Sequence, residues 1–125
     1  MYIQYNPNPI NGNAKDCVIR ALTIAVGKNW FRVYDELSEL GRSRGTWGCY
    51  STVWEPYLRK HNFKKRSIPD YCPDCYTFKD FAKDHPRGVY VIASESHVAV
   101  IEDGNLYDSW DSSDEIPEFY YFEEV

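Results

Sequence analysis

NAKDCVIRAL, residues 13–22, marks the start of a helix and places one cysteine at that start. The leader before it repeats asparagine and proline, which disfavour helix. Apolar side chains then recur at helical spacing, so we predict a helix over residues 14–26 that ends at Gly27. Cys17 lies near its start, where unpaired backbone N–H groups and the helix dipole stabilise a thiolate. The thiolate is the nucleophilic form of cysteine, so Cys17 is a candidate nucleophile, although a cysteine in a helix is more commonly inert.

The length of 125 residues is enough for one core but too short for two, so we predict a single domain over residues 1–125. A hydrophobic fraction of 43% is typical of a globular protein. The sequence has no charged-then-apolar leader and no apolar run near the ~18–20 residues that a membrane span requires. We therefore expect no membrane partner and a cytoplasmic location. The four cysteines do not require disulfides in that setting.

Charge is divided unevenly along the chain, although the net charge is only −5. All fourteen lysines and arginines lie at or before Arg87, whereas ten of the nineteen acids follow it. We expect the basic and acidic parts to attract each other across the fold. An acidic chain without a basic stripe is a poor general nucleic-acid binder, so no nucleic-acid partner is predicted.

Three further helices are predicted. Asn29 can cap the second helix, and Gly41 is predicted to close it. The third helix contains Pro56, which implies either a late start or a kink. The predicted ranges are 30–40, 51–61 and 78–83, the last with a capping box formed by Thr77 and Asp80.

Strand signals dominate the second half of the chain. The predicted strands are a short edge strand at residues 1–5 and five more at residues 62–68, 89–93, 97–102, 106–110 and 118–122. Helices followed by an antiparallel meander predict an α+β fold.

The dipeptide Asp103-Gly104 is a strong signal for a two-residue hairpin turn. Cross-strand neighbours share a face of a sheet, so this turn places Asp108 diagonally beside His97 and sets Trp110 opposite His97. Asp111 points to the other face, which favours Asp108 as the partner of the histidine. The predicted pairs are Glu102 with Asn105, Ile101 with Leu106, and Ala99 with Asp108.

These residue types suit nucleophilic catalysis. His97 would take the proton from Cys17 and later give it to the leaving group, while Asp108 would hold the imidazole in position. The oxyanion would need donors, and the backbone N–H of Cys17 is one of them. The second is a side-chain amide, for which Asn11 is favoured over Asn13.

Two charged residues flank the cysteine in the sequence. Asp16 would oppose thiolate formation unless its charge points away from the sulfur. Arg20 lies one helical turn beyond Cys17, and we interpret it as a brace for the helix rather than a substrate-binding residue.

The segments DCVIRA (16–21), HVAV (97–100) and YDSWDS (107–112) resemble small papain-like cysteine peptidases, particularly compact ones of bacteriophage and bacterial genomes. The resemblance implies a helical part that carries the nucleophile, packed on a C-terminal antiparallel sheet that carries histidine and aspartate, with a cleft between them.

On that pattern Cys17 is the nucleophile, His97 the base and Asp108 the third member of the triad. The family usually has glutamine six residues before the cysteine, where this chain has Asn11. The resemblance implies a peptidase or isopeptidase that works through a thioester without a cofactor. We expect a monomer with a protein or peptide substrate, in the cytosol of a bacterium or a phage-infected host.

Two other function classes stay open on the sequence. One is a catalytically silent scaffold that binds a host protein, as a phage accessory or inhibitor module does. The other is an acyltransferase or transglutaminase-like enzyme, in which an amine replaces water as the acceptor.

The pair Cys72 and Cys75 is the remaining candidate for site chemistry. It could be half of a zinc site completed by Cys49 and by His61 or His85, but a strong zinc signal would have two such pairs. Exposed loop thiols are the favoured interpretation, and no metal is predicted. His61 and His85 are expected to interact with the last carbonyls of helices.

Overall fold

The α+β class is confirmed by the computed structural model, which describes residues 1–68 and 76–123. The helices in this part of the chain are α1 (Cys17–Val26), α2 (Trp30–Ser43), α3 (Ser51–Lys60) and α4 (Phe78–Asp84). The strands are β1 (Tyr2–Gln4), β2 (Phe63–Ser67), β3 (Val89–Ala93), β4 (Val98–Glu102), β5 (Asn105–Asp108) and β6 (Phe119–Glu123). None of the described helices is long and apolar enough to cross a membrane.

The sheet is mixed, so the prediction of an antiparallel sheet is correct only for the strands from β2 onward. The strand order is β1-β5-β4-β3-β6-β2, and every neighbouring pair except β1 with β5 is antiparallel. A parallel pair needs a long connection, and here that connection contains all four helices. Strand β1 therefore covers the outer edge of β5 and brings Gln4 opposite Asp108.

The hairpin between β4 and β5 has the predicted register. Asp103 and Gly104 have φ angles of 51° and 80°, as a two-residue type I′ turn requires. Strand β4 begins at Val98 instead of residue 97, because a turn closed by the Ser94 N–H on the His97 carbonyl at 2.8 Å precedes it. Strand β5 ends at Asp108 instead of residue 110. His97 thus lies just before β4, and Asp108 is the last residue of β5.

The two faces of the sheet pack against different helices. Helices α1, α2 and α3 cover one face, and α4 covers the other. Within β4, Val98 and Val100 belong to the first core, whereas Ala99 and Ile101 belong to the second. Because α1 lies along the first face, its first residue, Cys17, meets the beginning of β4.

Most helix boundaries lie close to the prediction. Helix α1 begins somewhat later than expected, at Cys17, because turns occupy the preceding residues. Helix α3 begins at Ser51 and includes Pro56, so a late start is wrong. Helix α4 has the predicted capping box of Thr77 and Asp80.

Helix α2 continues to Ser43, so the prediction that Gly41 closes it is wrong. Gly41 is buried, and the loop after the helix folds back against it. A Cβ at this position would lie 2.7 Å from the Thr46 carbonyl oxygen and 2.9 Å from the Gly48 nitrogen. The glycine is thus required for close approach of two backbone segments, a reason that the spacing of apolar residues does not reveal.

We predict that Gly41→Ala lowers the free energy of unfolding by about 1–3 kcal/mol, because the methyl group meets backbone atoms that cannot move aside cheaply. Urea denaturation measures the change. Gly12→Ala is the control, since its Cβ would meet only the Asn6 amide nitrogen, at 3.7 Å. It should stay within about 0.5 kcal/mol of wild type. Equal stabilities of the two variants would contradict this account of Gly41.

Candidate active site

The thiol of Cys17 meets two groups from the start of β4. Cys17 is the first residue of α1 and is partly buried. The groups that act on its sulfur to lower the pKa are the His97 side chain and the Val98 backbone N–H. The N-terminus of α1 and the beginning of β4 therefore enclose the sulfur from two sides.

The imidazole of His97 links the thiol to a carboxylate. Its Nε2 atom lies 2.6 Å from Oδ2 of Asp108, which leaves Nδ1 for the thiol of Cys17. Asp111 is exposed, and its carboxylate accepts a hydrogen bond from the Ser113 backbone N–H at 3.1 Å. The structure thus brings Cys17, His97 and Asp108 together and places Asp111 apart from them.

The carboxylate of Asp108 is buried and accepts hydrogen bonds on both oxygens. Oδ2 accepts from His97 and from the Ser112 hydroxyl, each at 2.6 Å. Oδ1 accepts from the Ser109 backbone N–H at 2.8 Å and from Arg20 Nε at 3.2 Å. With both oxygens engaged, the carboxylate has little freedom to rotate, and the histidine that it holds is equally constrained.

A second carboxylate, that of Asp16, belongs to the same network. Its Oδ1 lies 2.6 Å from Nη1 of Arg20, and its Oδ2 accepts from Trp30 Nε1 at 2.8 Å and from Asn8 Nδ2 at 3.1 Å. Asp16 occupies the N-cap position of α1, yet its side chain makes no capping hydrogen bond. Sequence reasoning missed this network, although the i,i+4 spacing of Asp16 and Arg20 was a usable signal.

The surroundings favour the charged forms of the thiol and the imidazole. Burial raises the pKa of Cys17, but hydrogen bonds from His97 and Val98 and the positive charges of His97 and Arg20 outweigh it, so the pKa falls below its ordinary value. Burial lowers the pKa of His97, yet Asp108 and Cys17 raise it to about 9. The arrangement therefore stabilises a thiolate–imidazolium pair.

The pKa of Asp108 is shifted in the matching direction. Burial raises it, but hydrogen bonds from His97, Ser112 and the Ser109 backbone hold it below the ordinary range of a carboxyl group. Asp108 therefore stays ionised at neutral pH and can stabilise an imidazolium.

A cleft of about 560 Å³ opens beside Cys17 and His97. The indole of Trp110 lies at one side of it, with its ring centroid 4.8 Å from that of His97, so Trp110 faces the histidine as predicted. Side chains that also line the cleft are those of Gln4, Asn6, Asn13, Lys15 and Ser109.

A second cavity, of about 470 Å³, reaches Cys17 from the side of α2. Its walls include Ile10, Ile19, Trp30, Tyr34 and Cys49. The rings of Trp30 and Tyr34 are stacked with centroids 5.2 Å apart. Cys17 therefore lies between a polar cleft and a largely apolar cavity.

The two amides considered for the oxyanion site lie in different places. Asn11 lines the second cavity, is exposed, and uses its side-chain oxygen to accept the Asn13 backbone N–H at 3.0 Å. Asn13 lines the cleft beside Cys17 and His97, as does Gln4, which β1 brings to the end of the sheet. The geometry thus places Asn13 and Gln4, rather than Asn11, on the cleft shared by the thiol and the imidazole.

Within residues 1–68 and 76–123, no three histidine, cysteine or acidic side chains are grouped to hold a metal ion. Cys72 and Cys75 lie outside the described residues. Nδ1 of His61 and of His85 each lies 2.8 Å from a carbonyl one turn earlier, as predicted for histidines at helix ends.

Comparisons of the chain with protein-family models, with curated proteins and with solved structures find no match.

We predict that Asp108→Asn lowers the pKa of His97 by about 1–3 pH units, because the variant removes the negative charge that favours the imidazolium. Titration of the His97 ring protons by NMR measures the change. Asp111→Asn removes the same charge three residues away and should leave the His97 titration as in wild type. Equal effects of the two substitutions would show that no specific contact raises the His97 pKa.

Proposed function

We propose that the protein is a papain-like cysteine hydrolase that cleaves a peptide or isopeptide bond through a thioester at Cys17. The observation that supports it most is the grouping of the Cys17 thiol, the His97 ring and the Asp108 carboxylate, with the ring 2.6 Å from the carboxylate and an open cleft beside the thiol. Nucleophile, base and orienting group within hydrogen-bond reach are the signature of nucleophilic catalysis.

In the acylation step, the Cys17 sulfur attacks the carbonyl carbon of the substrate, and its proton resides on His97. The carbonyl oxygen becomes negatively charged, and the first-turn backbone N–H of Cys17 would stabilise it. As the tetrahedral intermediate collapses, the C–N bond breaks and His97 gives its proton to the leaving amine. The products are a free amine and a thioester on Cys17.

In the deacylation step, a water molecule enters the position of the departed amine. His97 takes a proton from it as the oxygen attacks the thioester carbonyl, and the C–S bond breaks. The products are a carboxylic acid and a Cys17 sulfur that regains the proton held by His97. An amine in place of water would give acyl transfer, so the identity of the acceptor distinguishes hydrolase from transferase.

The apolar cavity suggests which kind of substrate side chain the site would recognise. Because Trp30 and Tyr34 line a cavity that ends at Cys17, a bulky apolar side chain next to the scissile bond can bury its surface there. The cleft on the His97 side is polar, which suits the hydrogen-bonding groups of an extended backbone.

We predict that Tyr34→Ala slows labelling of Cys17 by a phenylalanyl chloromethyl ketone about 10-fold or more, since the cavity loses an apolar wall worth roughly 1–3 kcal/mol. Labelling by the glycyl analogue should change little. Phe31→Ala is the matched control, because Phe31 is 49% exposed against 48% for Tyr34, lies on the same helix and is not among the residues that line the cavity. Equal losses in both variants would argue against this cavity as a subsite.

The proposed function predicts rapid alkylation of Cys17 by iodoacetamide at pH values well below the ~8.5 pKa of a free thiol. His97→Ala should slow it by about 100-fold, because the thiol loses the base that takes its proton. Mass mapping reports each site separately, and exposed Cys49 is the reference thiol within the same molecule.

Labelling of Cys17 no faster than that of Cys49, and unchanged in His97→Ala, would refute the hydrolase. The protein would then be better described as a scaffold that works by binding a partner. Cleavage that requires an added amine would instead identify a transferase.

A further inference from the structure

The position of Asp16 poses an electrostatic problem for a nucleophile at Cys17. A carboxylate on the adjacent residue opposes a thiolate, and Asp16 is 8% exposed, so water screens its charge poorly. Both oxygens of this carboxylate are nevertheless engaged by donors, because Arg20, Trp30 and Asn8 all donate hydrogen bonds to it.

Arg20 is the group that joins this carboxylate to the triad. It is 5% exposed, and its guanidinium contacts two carboxylates. Nη1 lies 2.6 Å from Asp16, while Nε and Nη2 lie 3.2 Å and 3.1 Å from Asp108 Oδ1. Only the planar fork of arginine can serve two carboxylates in this way, since lysine carries its charge at a single nitrogen.

We propose that Arg20 is the positioning residue of this site, clamping the first turn of α1 to the end of β5 and cancelling the charge of Asp16 beside the Cys17 thiolate. The clamp connects the element that carries the nucleophile with the element that carries the triad aspartate. It therefore fixes how closely Cys17 approaches His97. The inference rests on the proposed function only in taking the Cys17 thiolate as the reacting group.

The charges around the thiol show why the clamp matters. The groups that face or adjoin Cys17 are His97, Arg20, Lys15, Asp16, Tyr34 and Cys49, with Asp108 behind His97. Of these, His97 and Arg20 are the positive charges that lower the pKa of Cys17. Loss of Arg20 would leave two buried carboxylates without their shared cation, and both would then oppose the thiolate.

An Arg20 that only stabilises the helix (a brace) would behave differently from an Arg20 that also lowers the pKa of the Cys17 thiol (the clamp). Removing a pure brace lowers the melting temperature, and the pH dependence of Cys17 labelling in the folded protein stays unchanged. Removing the clamp moves the midpoint of that pH dependence upward. The effect of the Arg20 charge can be separated from the effect of its two-sided hydrogen bonding, because Arg20→Lys keeps the charge but loses the planar fork of donors.

The experiment measures the pH profile of Cys17 alkylation by iodoacetamide in Arg20→Gln, Arg20→Lys, Asp16→Asn and the double variant Asp16→Asn/Arg20→Gln. Circular dichroism confirms that each variant is folded at the temperature used. Arg32→Gln is the control, because Arg32 also pairs with an acid at i,i+4, but at an exposed site on α2.

We expect Arg20→Gln to move the labelling midpoint upward by about one pH unit, which lowers the rate about tenfold on the acidic side of the profile. Arg20→Lys should recover only part of that loss. Asp16→Asn should move the midpoint downward, and the double variant should lie between the two single variants. Arg32→Gln should match wild type.

A folded Arg20→Gln protein with the wild-type profile would overturn the proposal and leave Arg20 as a brace. If Arg20→Gln does not fold, the Asp16→Asn variant tests the proposal. An unchanged labelling midpoint in Asp16→Asn would refute the charge-cancelling role of Arg20. Slow, His97-independent labelling of Cys17 in the wild type would instead count against the proposed function itself.

Discussion

The carboxylate of Asp108 is the point on which the site depends. It accepts hydrogen bonds from His97 just before β4, from Ser112 in the loop after β5, and from Arg20 on α1. The start of α1, the turn before β4 and the loop after β5 are therefore fixed relative to one buried group. Because an unpaired buried carboxylate is costly, the fold and the site stabilise each other here.

The Asp108 carboxylate is also a point where the basic first part of the chain meets the acidic last part. The basic and acidic parts were expected to attract each other, and the buried pair of Arg20 with Asp108 joins them. Further pairs of lysine or arginine with acids lie within the first part of the chain, at Asp16, Glu36 and Glu55. The attraction between the two parts therefore includes a buried ion pair at the site.

The features of the fold that the sequence predicts correctly are determined by short, local segments. Asp103-Gly104 specifies its own turn, and the turn then determines the register that places Asp108 near His97. The features that sequence reasoning missed depend on distant contacts. The parallel pairing of β1 with β5 joins opposite ends of the chain. The backbone approach at Gly41 is nearer in sequence, but it depends on how the loop folds back, which the spacing of apolar residues does not reveal. The sharing of Arg20 by two carboxylates also needs Asp108, which lies 88 residues further along the chain.

If the proposed site is correct, Cys17 and His97 titrate as a coupled pair. The most direct test is an NMR titration of His97 in wild type and in Cys17→Ala, with Cys49→Ala as the matched control. We expect the His97 pKa to fall in Cys17→Ala, since the imidazolium loses the adjacent thiolate, and to stay at the wild-type value in Cys49→Ala. An identical His97 titration in all three proteins would contradict the account.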